Sequence, residues 1–163
     1  MRIDESYYPA MLAKKSINKD RYVTKYENSL PLQLLKARDI AMHFFRPILA
    51  ENELTEQQWR ILRVVDTKGP MDLSTLSKET CILSPSLTGI ISRLEIQGLV
   101  TKQKSAQDGR QFYIHMTERA TALVEQLRPQ IEQQYVALKE ALGDRKYQQL
   151  SELLNELIAI QSK

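Results

Sequence analysis

The sequence predicts a mainly α-helical protein carrying one small β element of two or three strands, with long helices on either side of it. Three observations lead there. Chain breakers are scarce, with five glycines and six prolines in 163 residues. Apolar residues recur at three- and four-residue spacing through most of the chain from Ser29 onward. The period shortens to two residues in one place only, after Gly98. A length of 163 residues with 42% hydrophobic and 26% charged content fits about one globular domain. No apolar run approaches the ~20 residues that cross a bilayer.

Taken in order, residues 1–28 hold Tyr7, Tyr8, Tyr22 and Tyr26 without sustained periodicity and read as an N-terminal arm. Residues 29–52 read as a first helix, with Pro31 in its opening turn and Leu34, Leu35, Ala41, Phe44, Phe45, Ile48 and Leu49 at helical spacing. Pro47 should kink it. Thr55 opens a second helix as N-cap with Gln58 as capping-box partner, placing Trp59, Leu62 and Val65 inward. Asp72 opens a short third helix, and Ser84 is expected to cap a fourth with Pro85 at its first position. Leu99 to Lys104 and Gln111 to Met116 then read as two strands, with Phe112, Ile114 and Met116 alternating against Tyr113 and His115. Residues 105–110 join them as a polar loop. Thr117 caps a long helix that Pro129 should bend, and Gly143 separates it from a last amphipathic helix over 144–161.

Helix, short helix, capped helix and hairpin, in that order, is the arrangement of a winged helix-turn-helix, here over residues 53–117. In that module one helix enters the DNA major groove while the hairpin, or wing, lies along the backbone. The fourth helix has the two faces this requires. Leu87, Ile90, Ile91 and Leu94 fall on one side, and Pro85, Gly89 and Ser92 lie opposite, flanked by Thr88 and Arg93. With Ser84 and Ser86, these small and hydroxylated residues suit close docking in a groove better than ordinary solvation. Gly89 costs roughly 0.5–1 kcal/mol in a helix interior and makes no turn there, so close backbone approach explains it. The plainer alternative is a solvated helix with short side chains. The wing favours DNA: Lys102, Lys104 and Arg110 place three cations within nine residues against Asp108 alone. Asp108 is also placed to hold Arg110 in a fixed orientation.

The order of elements, the Asp108-Gly109-Arg110 triplet and the following Tyr113-Ile114-His115-Met116-Thr117 resemble the MarR family of winged-helix repressors. The family's Asp-x-Arg wing signature falls on Asp108 and Arg110. Ala120 stands where many members have glycine. The segments Phe45-Arg46-Pro47-Ile48, Thr55 to Arg60 and Cys81 to Ile90 are similar to the branch that controls aromatic-acid catabolism, such as repressors of homoprotocatechuate and hydroxycinnamate degradation operons. The resemblance spans about residues 30–160.

The apolar stripes of residues 29–52 and 118–163 exceed what a small winged core can cover, which predicts dimerisation helices and a two-fold homodimer. Such a dimer would set two recognition helices against a pseudopalindromic operator. Arg38, His43 and Arg46 interrupt the first helix, and Trp59, Arg60 and Arg63 lie on the second. A phenolic acid needs one cation, an aromatic wall and a hydroxyl partner. His43, Arg46, Trp59 and Arg60 are the candidates, in the region where the resemblance puts an effector pocket. The plainer alternative pairs Arg46 with an acid such as Glu51 and packs His43 and Trp59.

Other classes find less support. Cys81, the single cysteine, precludes an intramolecular disulfide, which favours a reducing cytoplasm, and it is expected to be a buried small hydrophobe rather than a redox switch. His43 and His115 stand 72 residues apart with no metal-ligand spacing. No phosphate loop, nucleophile elbow or triad marks an enzyme, and no cofactor is expected. A net charge of +3 decides nothing by itself. A winged-helix protein-interaction module, or a redox-responsive repressor using Cys81, stays open as the alternative.

Overall fold

A computed structural model describes residues 29–104 and 112–160. The chain divides into two compact units, residues 1–38 and 39–163. The described part of the first is the start of helix α1, Leu30–His43. The arm over 1–28 and the loop carrying Asp108, Gly109 and Arg110 lie outside the described residues.

The expected first helix is broken in two. α1 ends at His43, and α2 runs Arg46–Glu51 with Pro47 in its first turn. A proline ring clashes with the carbonyl four residues back, which here is His43, so the helix stops there rather than bending near its end. Phe44 and Phe45 close α1 with tightened bonds to Ala41 and Met42. α3, Glu56–Lys68, starts at the full capping box of Thr55 and Gln58, and buries Trp59, Ile61, Leu62 and Val65.

Met71–Asp72 forms a short strand, β1, and Asp72 also caps α4, Leu73–Thr80. Its carboxylate accepts bonds from the Ser74 and Thr75 amides at 2.8 and 3.1 Å and from the Thr75 hydroxyl at 2.6 Å. Cys81 ends α4 in the left-handed region, φ 51°, and is exposed rather than buried. The reversal of the chain there gives the inward places to Thr80 and Ile82.

α5, Ser84–Ile96, begins one residue earlier than expected: Leu83 occupies the N-cap position, Ser84 and Pro85 lie inside the helix, and no side chain caps it. Its buried residues are Leu87, Ile90, Ile91 and Leu94, the face expected from spacing. β2, Val100–Lys104, and β3, Phe112–Met116, pair antiparallel, and β1 adds to the other edge of β3 in the order β1-β3-β2. Ile114 is the one fully buried residue of the expected alternation. Phe112 pairs with Lys104 at the far end of the hairpin and is exposed there instead.

Thr117 caps α6, Glu118–Leu142, which carries Pro129 within it and buries Ala120, Val124, Leu127 and Ile131. α7, Asp144–Ala159, buries none of its residues. In the second unit one apolar cluster joins α2, α3, α4, α5, the sheet and the first half of α6. Among the described residues no helix is long and apolar enough to cross a membrane.

Candidate nucleic-acid interface and effector pocket

The outer face of α5 carries Ser84, Pro85, Ser86, Thr88, Gly89 and Arg93 exposed, with Ser92 half-buried. A Cβ on Gly89 would meet nothing within 4 Å, so no neighbour within the chain requires a glycine there. The Thr88 and Ser92 hydroxyls donate to the helix's own carbonyls of Ser84 and Thr88, at 3.3 and 3.1 Å. Both must rotate away to meet an outside acceptor. Arg93 has no acidic partner among the described residues.

The two described wing cations differ. Lys104 is exposed at the hairpin's end, whereas Lys102 Nζ lies 2.8 Å from Glu95 Oε2 on α5. That bond ties wing to helix and neutralises one cation of the expected patch. Glu95 was not legible as its partner, because the pairing crosses the turn at Gly98. The trailing end of α5 is held twice more. Gln58 on α3 donates to Gln97 Oε1 at 2.8 Å, and Arg119 on α6 donates to the Gln97 carbonyl at 3.0 Å. Movement of α6 therefore reaches the end of α5 directly. Beside these bonds a cavity of about 430 Å³ is lined by residues including Leu54, Ile96, Leu99, Arg119 and Leu123. None of the predicted pocket residues line it.

Those four residues are not brought together as one anion site. Arg46 pairs not with Glu51 but with two other acids: its Nη2 meets Asp39, and its Nε donates to Glu56 Oε1 at 2.6 Å. The bond to Asp39 chiefly, and that to Glu56, raise its already high pKa. Its Nη1 lies 3.2 Å from His43 Nδ1, which is also 2.8 Å from the Asp39 carbonyl. One nitrogen cannot accept from the first and donate to the second at once, so the proton position selects between them. Arg60 donates to the Thr80 carbonyl at 2.8 Å, which fastens α3 to the end of α4.

Trp59 is a packed core residue, 8% exposed, and the guanidinium of Arg63 sits 5.8 Å from its ring centre. Arg63 has no carboxylate partner among the described residues. It stands four residues after Trp59, on the same helix face, and that spacing is the sequence signal for the pair. Phe45 and Tyr135 form a second aromatic contact, with centroids 4.8 Å apart. Among the described residues no group of three or more His, Cys, Asp and Glu side chains converges to hold a metal ion.

The chain is 44% identical over 133 residues to the homoprotocatechuate degradative operon repressor of Escherichia coli, covering 82% of this chain and 90% of that protein. It belongs to the MarR family. The family's sequence pattern matches residues 54–112, from the turn before α3 to the start of β3. The HTH-type transcriptional regulator FarR of Neisseria gonorrhoeae is 41% identical over 82% of this chain and 91% of its own. Among solved structures, the transcriptional regulator PA4135 superposes with a TM-score of 0.78 at 43% identity, covering 81% and 97% of the two chains. NadR in complex with 4-hydroxyphenylacetate does so with a TM-score of 0.69 at 40% identity, covering 79% and 92%. As a MarR-type transcriptional repressor this protein is a DNA-binding regulator and not an enzyme. That membership decides against the protein-interaction alternative.

Proposed function

We propose that the protein is a homodimeric repressor of a catabolic operon, released from a pseudopalindromic operator by a small aromatic carboxylate of the hydroxyphenylacetate or hydroxycinnamate type. Residues 53–117 form the DNA-binding head. The segments 29–52 and 118–163 hold two such heads at a set distance, and the arm over 1–28 precedes them. In this reading Ser84, Pro85, Ser86, Thr88, Gly89, Ser92 and Arg93 enter the major groove. Lys104, Asp108 and Arg110 serve the wing, with Lys102 positioned by Glu95. The protein works where its DNA is, in the cytoplasm.

One observation carries the effector reading: Arg63 has no acidic partner among the described residues and lies over the Trp59 ring, in a chain 40% identical to a protein solved with 4-hydroxyphenylacetate. Arg46, already paired with two carboxylates, offers a third little, and Arg60 is turned to the Thr80 carbonyl, which favours Arg63 as the anion site. Trp59 remains the aromatic wall, and His43 with Arg46 supports the break between α1 and α2. The effector acts by binding one spacing of the heads better than the other, and DNA affinity falls by that difference. Arg119 and Gln58 carry the shift to α5.

Fluorescence polarisation of promoter DNA titrated with hydroxyphenylacetates and hydroxycinnamates tests the switch. Release is expected with at least one ligand class in the wild type, and Arg63→Gln is expected to bind DNA normally while losing the response. No change in DNA affinity at saturating ligand rejects the switch.

A further inference from the structure

We infer that Leu83 reads a thymine by packing on its C5-methyl group, making it a specificity residue of the DNA face; the inference rests on the proposed docking of α5. Leu83 stands immediately before that helix and is 78% exposed. It holds the N-cap position, where serine, threonine, aspartate or asparagine would bond a free amide and steady the helix. Leucine forgoes that bond, and α5 has no side-chain cap at all. The side chain gains nothing from burial in return. A position that gives up both helix capping and core packing is explained by contact with something outside the chain.

The position is also rigid. The Ser77 hydroxyl donates to the Ile82 carbonyl at 2.6 Å, and the Ile82 amide donates back to the Ser77 carbonyl at 3.3 Å. Ile82 itself is buried, so the chain turns one apolar side chain inward and holds the next one out. The Leu83 carbonyl in turn accepts from the Ser86 and Leu87 amides, both at 3.0 Å, which fixes it to the first turn of α5. Leu83 is thus continuous with Ser84, Pro85 and Ser86 on the exposed leading end of the helix. In the major groove the apolar feature of a base pair is the thymine methyl, and aliphatic side chains discriminate thymine through it.

The test starts from a randomised duplex library, from which wild type, Leu83→Ala and Leu83→Ser are each allowed to select sites. The wild-type site is then synthesised with deoxyuridine replacing thymine at single positions, which removes only the methyl. Wild type should lose about four-fold in affinity per half-site at one thymine position, the transfer value of one methyl group. Leu83→Ser should fold with a melting temperature no lower than wild type, since it restores a cap. It should bind the thymine and deoxyuridine duplexes equally and enrich other bases at that position. Deoxyuridine sensitivity that persists in Leu83→Ser overturns the inference, as does a change in oligomeric state with unaltered base preference. If wild type enriches no sequence at all, the docking of α5 falls and this inference with it. If wild type enriches a site whose thymine methyls have no effect, only Leu83's role falls.

Discussion

The winged head and the last helix contain similar apolar residues and treat them in opposite ways. In α5, Leu87, Ile90, Ile91 and Leu94 are all buried within the chain's own fold. α7 is amphipathic to the eye, with Leu150, Leu153, Leu157 and Ile158, yet buries none of them. Tyr135 and Val136, in the later part of α6, are likewise exposed. Free energy from burial is roughly proportional to apolar area removed from water. The head, packed with α2 and the first half of α6, therefore gains its stability within one chain, while α7 gains little until a second surface covers it. Self-sufficiency in one region and dependence in the other is what the proposed switch needs, because its heads must stay folded while their spacing changes.

Paired substitutions break or sharpen that contrast most strongly. Leu62 is fully buried, and Leu62→Ala should destabilise the head by about 2–5 kcal/mol through lost contacts and a residual cavity. Chemical denaturation should show this at every protein concentration. Leu153, 63% exposed, should behave differently. Leu153→Glu should leave the helical signal intact, convert the dimer to monomer in sedimentation, and remove the concentration dependence of the melting temperature. Operator affinity should fall about 10²–10⁴-fold once the two heads are no longer joined. A Leu153→Glu variant that remains dimeric would show that another face holds the copies together.

The same division governs what could be read from the residues. The Thr55–Gln58 box and the inner face of α5 were legible because spacing within one helix determines them. The break between α1 and α2 was half legible: Pro47 announces it, but the clash acts four residues back, at His43. The third strand was expected only as an option, and the position of β1 was not legible because two residues make no period and its partner Ile114 lies far along the chain. Cys81 pointed outward because a left-handed backbone reversed the chain, which its apolar neighbourhood did not reveal. At the candidate pocket, Arg46 looked available because its acids come from Asp39 and Glu56, on either side of the helix break. Residue types were legible there, and pairings across elements were not.

A smaller effect should arise within the head at Asp72. Hydrogen bonds from the Thr75 hydroxyl chiefly, and from backbone amides, hold its carboxyl below its ordinary value of 3.8. A folded value lower than the unfolded one means that the stabilisation is complete above the ordinary value. It is lost as the pH falls through the lowered folded value. Asp72→Ala should cost about 1 kcal/mol near neutral pH, as for other N-caps, and the difference from wild type should vanish in acid. Melting curves from neutral pH to the acid limit check this. Because the cap is local to α4, the dimer constant should not move, which keeps the two regions separable.

The smallest expected effect lies where the head meets DNA. Lys102 and Glu95 form an ion pair at 2.8 Å with both side chains partly open to solvent, so its contribution to stability is slight. Its consequence for binding is larger, because a lysine held by a carboxylate releases fewer counterions from a phosphate than a free one. Glu95→Gln should leave the melting temperature nearly unchanged and strengthen binding to non-operator duplex. The slope of log K against log salt should steepen by about one, the value for one added phosphate contact. Lys102→Gln should leave that slope as it is in wild type if Glu95 fully occupies the ammonium, whereas Lys104→Gln should make it shallower by about one. Equal slopes for the two lysine variants would mean that Lys102 leaves Glu95 on DNA, and that the ion pair belongs to the free repressor alone.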